Sequence, residues 1–199
     1  QATGQDMVYE AIDGGAEAGG FERALAAFRA AGGRGMNVTL PFKLAALAVA
    51  DSASEDARLA GAANTLSFEG GRIEARNTDG IGLVRDIEVN LGLPLAGRRV
   101  LLLGAGGATR GAVRPIARAG AARIVIANRT ADKAETLAVE LAPHLGGVPL
   151  VGCGLAALGT QGAFDVVINA TSASLDGQAP AVPAGAFAPG ALAYDMVYG

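Results

Sequence analysis

The residues of this sequence best suited to chemistry fall into two groups. In the first half, the run Asn37-Val38-Thr39-Leu40-Pro41-Phe42-Lys43 sets three polar side chains around a strand-to-helix turn. Alternation along an extended segment sends Asn37 and Thr39 to one face. Pro41 suits the first turn of a new helix, and Lys43 follows within that turn. A lysine there opposes the positive end of the helix dipole, so its placement points to a task, either binding an anion or exchanging a proton. The plainer reading is a solvated surface lysine. Further on stand Asn64-Thr65 and Asn77-Thr78-Asp79-Gly80. Thr78 or Asp79 equally suits a simple helix cap. Together these segments bring a lysine, an aspartate and asparagines ahead of the second half of the chain. Hydride transfer to a carbonyl needs a proton for the new alkoxide, and a Lys–Asp pair can supply and orient one.

The second group surrounds a glycine turn, Gly104-Ala105-Gly106-Gly107-Ala108-Thr109-Arg110-Gly111. Between a buried strand and a helix, Gly104 permits the tight turn and Gly106 lets backbone approach a pyrophosphate. The helix N-terminus then offers unpaired N–H groups to the anion. The third position of the usual G-x-G-x-x-G pattern is Thr109 rather than Gly or Ala, but the strand–turn–helix context is right. Dinucleotide binding competes here with glycines that serve packing alone. The next strand ends Ala127-Asn128-Arg129-Thr130, with no carboxylate before Asp132. An NAD site wants an acidic residue for the ribose 2′-OH. A guanidinium and a hydroxyl suit a 2′-phosphate instead, so Arg129 and Thr130, with Lys133 one helical turn on, favour NADP. Arg129 as a solvated surface cation is the alternative. Ala170-Thr171-Ser172 follows a strong strand and either lines the nicotinamide side of the crevice or forms an ordinary loop. His144 reads as a surface residue at a helix end, and Cys153 as a small packed residue rather than a nucleophile.

These residues need a scaffold, and the composition provides for one. The chain has 199 residues, 51% hydrophobic and 18% charged, with a formal net charge of −3. That is too apolar for a disordered segment, and it can bury a core. A mildly acidic balance gives no footprint for nucleic acid or anionic membrane. No apolar run approaches the ~20 residues of a bilayer span. One Cys and one His exclude a disulfide framework and argue against a zinc site, so no metal is expected. A lone thiol fits a reducing, cytoplasmic setting. The partner expected is a small-molecule substrate, with the chain a monomer or homodimer. With no initiator Met and an apolar run just before Gly199, the chain reads as a piece of a longer protein.

Hydrophobic periodicity predicts a helix carrying Phe21, Leu25 and Phe28, then a short strand over 36–40. A helix or loop follows over 51–62, then a hairpin of 64–68 and 72–75, and a helix over 78–91 with Ile81, Val84, Ile87 and Leu91 on one face. A boundary falls near 92–97. It separates a substrate part, residues 1–92, from a nucleotide part, residues 93–199. Strands are predicted at 99–103, 123–127, 148–151, 164–170 and 191–197, with helices to about 119 and over 131–142. This alternation predicts an α/β fold with a parallel sheet.

The motifs, taken in order, resemble the shikimate dehydrogenase family. They are Gly35-Met36-Asn37-Val38-Thr39-Leu40-Pro41-Phe42-Lys43, Gly61-Ala62-Ala63-Asn64-Thr65-Leu66, Asn77-Thr78-Asp79-Gly80, the glycine turn, Asn128-Arg129-Thr130, Asn169-Ala170-Thr171-Ser172 and Tyr194-Asp195-Met196-Val197-Tyr198. The resemblance implies a Rossmann-like, doubly wound NADP domain behind an α/β substrate domain. It also implies reversible NADPH-dependent reduction of 3-dehydroshikimate to shikimate in aromatic amino acid biosynthesis. On the family pattern Lys43 and Asp79 look like the catalytic pair, and Thr39, Lys43, Asn64, Asp79 and Tyr198 like substrate ligands. Gly104, Ala105, Gly106, Gly107 and Ala108 resemble the pyrophosphate site. Asn128, Arg129, Thr130 and Lys133 resemble the 2′-phosphate site, and the pattern puts Thr171 and Met196 near the nicotinamide. The family's N-terminal Ser-x-Ser segment and C-terminal helical region have no counterpart in the sequence, which is expected to hold about seven-tenths of a family-length protein. The alternatives are an NAD-using quinate/shikimate dehydrogenase and a non-catalytic NADP- or shikimate-binding homologue or fragment.

Overall fold

Residues 20–76 build the first of two sheets among the described residues. Their elements are α1 (Gly20–Ala30), β1 (Gly35–Asn37), α2 (Lys43–Ala48), β2 (Ser52–Ala53), α3 (Glu55–Ala60), β3 (Thr65–Glu69) and β4 (Arg72–Arg76). The computed structural model describes residues 4, 6–171 and 181–196. The hairpin of β3 and β4 turns at Gly70-Gly71 and forms the centre of a sheet ordered β1-β3-β4-β2. Phe21 and Leu25, one helical turn apart on α1, bury against Val38, Leu66 and Ile73. Each large apolar side chain so covered contributes about 1.5–3 kcal/mol. The Phe21 ring stacks on that of Phe42, centroids 5.4 Å apart, and so fixes the segment that leads into Lys43.

The second sheet is fully parallel. Its elements are β5 (Arg99–Leu103), α5 (Gly107–Arg118), β6 (Arg123–Asn128), α6 (Ala131–Leu141), β7 (Leu150–Gly154), β8 (Phe164–Asn169) and β9 (Phe187–Asp195), and the strand order is β7-β6-β5-β8-β9. Strand β5 is apolar after Arg99 because both its faces are covered. Val100 and Leu102 join one core, and Leu101 and Leu103 the other. The chain winds outward from β5 in both directions, so the C-terminal ends of β5 and β8 flank the switch point where an open α/β sheet binds ligands.

Helix α4 (Asp79–Arg85) links the two sheets and runs into a π-helical turn, Asp86–Asn90. Its buried face is Gly80, Leu83 and Ile87, which corrects the expected stripe, since Ile81 and Leu91 are about half exposed. Two causes are visible. A side chain at Gly80 would collide with the Gly111 carbonyl oxygen of α5, so the two helices meet backbone to backbone. The π turn, closed by Leu91 N–H donating to the Asp86 carbonyl at 3.0 Å, then shifts Leu91 out of phase. Ion pairs reinforce the junction. Arg114 of α5 pairs with Asp56 of α3 at 2.5 Å and also with Glu55.

Other boundaries also differ from expectation. The first strand ends at Asn37 rather than at 40, and the helix begins at Lys43 rather than at Pro41, with a cis Leu40–Pro41 peptide between. The expected shared strand face of Asn37 and Thr39 therefore does not form. Strand β7 starts at Leu150 rather than 148, because Pro149 has a carbonyl for Ile124 (2.9 Å) but no N–H for the ladder. Strand β9 begins at Phe187 rather than 191. It tolerates Pro189 because it is the outer strand among the described residues, and its register with β8 shifts near its start.

Candidate active site

Three segments meet beside the N-terminal half of α5. Lys43 opens α2, and its carbonyl accepts from Ala63 N–H at 2.9 Å, which brings the strand-entry residue Asn64 alongside. Asn64 in turn bonds through its backbone to Arg76 of β4 and to Val38. The chain leaving β4 then turns at Asn77. This buried side chain donates to the Ala62 carbonyl at 3.0 Å and accepts from the Asp79 N–H at 3.1 Å. Asn77 is thus the residue whose side chain receives the N–H at the start of α4. Thr78, one of the two residues suited to a simple cap, makes no side-chain capping bond, and Asp79 is the first residue of the helix.

The result is a closed polar network. Lys43 Nζ donates to Asp79 Oδ2 at 2.7 Å, and Asn64 Nδ2 donates to Asp79 Oδ1 at 2.8 Å. The Asn64 Oδ1 accepts from Thr65 Oγ1, Thr78 N and Thr78 Oγ1 at 3.0–3.2 Å. A charge-assisted bond as short as the Lys43–Asp79 one is among the stronger kinds. Both carboxylate oxygens are engaged, so the lysine and carboxylate are held in one arrangement. The pair is only part-buried, its side chains 25% (Lys43) and 41% (Asp79) exposed, so a solute can reach it. Sequence spacing points to Lys43, Asn64 and Asp79, and the structure joins them. Thr39 is exposed on the neighbouring turn and makes no side-chain bond to this network among the described residues. Tyr198 lies outside the described residues, as does Ser172.

The helix that the glycine turn opens packs beside the network. Gly80, next to Asp79, packs on Gly111, one helical turn into α5. Gly104 has φ +97°, which L side chains rarely adopt, and a Cβ there would crowd Thr171 Cγ2 at 3.0 Å. Gly106, Gly107 and Ala108 are exposed, and nothing lies within 4 Å of a Cβ placed on Gly106 or Gly107. Backbone N–H groups at the start of this 12-residue helix therefore face open space of the kind a phosphate fills. Thr109 explains the departure from the glycine pattern. It is fully buried, and its Oγ1 donates to the Gly104 carbonyl at 2.7 Å, so the hydroxyl satisfies an acceptor that the tight turn exposes. Nothing in the sequence pattern signals that role.

Around the turn, Asn128 Nδ2 donates to the Thr130 carbonyl at 2.9 Å and shapes the β6–α6 corner. Arg129 and Thr130 are exposed there, and no bond engages the Arg129 guanidinium among the described residues. Ala105 and Lys133 share a groove of about 280 Å³ with Arg110 and Glu140. Arg110 Nη2 donates to Glu140 at 2.6 Å, and the guanidinium holds that carboxyl below the usual carboxylate range. On the other side, Thr171 N and Oγ1 donate to Asn169 Oδ1 at 3.1 and 2.7 Å, and Met196 N donates to the Asn169 carbonyl at 3.0 Å. Buried Asn169 thus ties together the two expected nicotinamide-side residues. The β6 end carries a cation where an NAD site would carry an acidic 2′-OH ligand, so the residues present fit a phosphorylated dinucleotide. His144 is exposed near Glu55, and Cys153 is buried, where desolvation raises its thiol pKa. Neither touches the network. Among the described residues no cluster of metal-ligating side chains occurs, and no helix is long and apolar enough to cross a membrane.

Comparison with known proteins identifies the family and the fold. Residues 1–66 match the family model described as shikimate dehydrogenase substrate binding domain, and residues 87–176 match the one described as shikimate / quinate 5-dehydrogenase. The chain is 52% identical over 197 residues to a shikimate dehydrogenase (NADP(+)) of Aromatoleum aromaticum, spanning 99% of this chain and 70% of that protein. A crystal structure of an Ael1 enzyme from Pseudomonas putida superposes with a TM-score of 0.89 at 51% identity, covering 100% of this chain and 70% of that one. A shikimate 5-dehydrogenase from Thermus thermophilus, solved in complex with NADP(H) and shikimate, superposes with a TM-score of 0.72 at 33% identity over 90% of this chain and 64% of that one.

Proposed function

The chain belongs to the shikimate dehydrogenase family, and on that basis we propose how its residues carry the reversible NADPH-dependent reduction of 3-dehydroshikimate to shikimate. It is an NADP-dependent oxidoreductase of the shikimate pathway. The observation that carries the residue assignment is the 2.7 Å contact of Lys43 Nζ with Asp79 Oδ2, with Asn64 holding the other carboxylate oxygen.

Bound NADPH supplies a hydride to the substrate's carbonyl carbon. The protein must then deliver a proton to the carbonyl oxygen as negative charge develops on it. Lys43 presents ammonium protons at a fixed point and gives one to that oxygen. Asp79 aims the ammonium through the 2.7 Å bond from Lys43 Nζ to its Oδ2. In the reverse direction Lys43 receives the proton from the substrate hydroxyl. Asn64 and Asp79 also offer polar atoms to substrate hydroxyls, with Thr39 and Tyr198 as further substrate ligands. The glycine turn from Gly104 to Ala108 would hold the pyrophosphate on backbone N–H groups. Asn128, Arg129, Thr130 and Lys133 would hold the 2′-phosphate, and Thr171 and Met196 would border the nicotinamide. Residues 1–92 are read as the substrate part and 93–199 as the cofactor part. A reducing cytoplasmic setting is consistent with the single buried cysteine.

The test is a steady-state assay of 3-dehydroshikimate reduction with NADPH and NADH side by side. We expect strong preference for NADPH, and loss of turnover in Lys43→Ala and Asp79→Asn. Full kcat in both variants would defeat the proton-transfer assignment, and preference for NADH would defeat the 2′-phosphate assignment.

A further inference from the structure

Helix α4 starts at Asp79, and the π turn that continues it starts at Asp86. Two turns of helix return a side chain to the same face after a rise of about 10 Å. Asp86 does not face solvent alone. Its Oδ2 accepts from the Tyr194 hydroxyl at 2.8 Å, and its Oδ1 accepts from Asn90 Nδ2 at 2.6 Å. Those two donors, that of Asn90 first, hold the Asp86 carboxyl below the usual carboxylate range, so it stays an ionised acceptor.

Tyr194 lies on β9, just before Met196. It is half-buried against the same core that Leu83 and Ile87 of the linking helix enter. The strand end is gripped from its other side by Asn169, whose carbonyl accepts from Met196 N at 3.0 Å and whose Nδ2 donates to Asp195 at 3.0 Å. The Asp86–Tyr194 bond joins residues 108 apart in the sequence, and it ties the rod that begins at Asp79 to the strand end that carries Met196. The π turn sits at that tie, and such turns recur at functional sites.

We propose that Asp86 and Tyr194 are positioning residues for the reduction, a latch that keeps the Lys43–Asp79 proton donor in register with the hydride-bearing side of the cofactor site. The proposal rests on the roles given above to Lys43, Asp79 and Met196. Misplacing reacting groups by about 1 Å costs up to roughly a hundredfold in rate, so loss of one hydroxyl remote from the substrate is readable in kcat.

The experiment compares Tyr194→Phe, Asp86→Ala, Asp86→Asn and the Tyr194→Phe/Asp86→Ala pair in the intact enzyme with NADPH or its C4-deuterated form. Tyr194→Phe and Asp86→Ala are expected to lower kcat by roughly five- to twentyfold, with NADPH affinity and KM for 3-dehydroshikimate within about twofold of wild type. The primary deuterium isotope effect on kcat is expected to rise, because the hydride step becomes slower. Asp86→Asn keeps an oxygen for the Tyr194 hydroxyl and should retain most of the rate, and the double variant should be no worse than the worse single one. A lowered Tm with wild-type kcat and isotope effect would overturn the proposal. Lys43→Ala runs alongside. If it turns over normally, the proton-transfer reading fails. If it is inactive while Tyr194→Phe behaves as wild type, only the latch fails.

Discussion

Lys43, Asn64 and Asp79 satisfy one another through bonds of 2.7–2.8 Å, whereas Gly106 and Gly107, across the α4–α5 contact, face open space. Arg129 stands exposed nearby. The proposed substrate side is therefore an assembled network whose acceptors are already engaged, and the proposed cofactor side is a set of donors turned outward. The difference fits the chemistry proposed for each side. Proton transfer needs a fixed donor whose orientation costs nothing at the moment of reaction, and that is achieved by bonding the donor to its neighbours in advance. Binding a phosphate needs donors that are still free, and a helix N-terminus and a guanidinium remain so in water at small cost.

Substitutions on the two sides should accordingly fail in different ways. The largest effect is expected from Lys43→Ala or Asp79→Asn, which should lower kcat by about 10²- to 10⁴-fold and leave NADPH affinity, measured by fluorescence titration, unchanged. Arg129→Ala should reverse that split. KM for NADPH is expected to rise about 10- to 100-fold, as for loss of a charge-assisted phosphate contact, with kcat and KM for NADH nearly constant. If Arg129→Ala lowered kcat and spared KM, the contrast between the two sides would be wrong.

Thr109→Val tests the turn itself. It keeps the shape but leaves the Gly104 carbonyl without its hydroxyl donor, and about 1–3 kcal/mol of stability should be lost in denaturant unfolding. The smallest effect concerns the exposed Arg110–Glu140 pair. The Glu140 carboxyl titrates lower in the folded chain than in the unfolded one, so its contribution is complete above the ordinary carboxylate range and disappears as pH falls through the lowered value. An exposed pair contributes at most about 1 kcal/mol. The Tm difference between wild type and Glu140→Gln should therefore be small at neutral pH and vanish in acid.

The parts legible in the sequence share one property: local spacing determines them. The glycine turn announces itself because it must follow a strand buried on both faces, and Lys43 because it sits where the helix dipole disfavours it. Asn64 and Asp79 are visible as polar residues at element boundaries, but the distances joining them come from backbone bonds such as Ala63 to Lys43, which no periodicity encodes. Other features depend on partners distant in sequence. The buried stripe of α4 departs from its periodicity because a glycine, absent from any hydrophobic pattern, makes the closest contact. The role of Thr109 stays hidden because a turn carbonyl's need for a donor is invisible until the turn is folded. The Asp86–Tyr194 bond joins residues whose adjacency only the order of the strands creates.

Gly80 carries a last consequence. It sits beside Asp79, where the linking helix crosses α5 with no side chain between their backbones. One methyl group added at that crossing would act as a shim beneath the axle of the molecule and tilt everything mounted on either arm. On the proposed reading, the spacing between the two reactants is thus written in a residue that takes no part in the chemistry although it adjoins Asp79, and that gauge is set by the smallest side chain available.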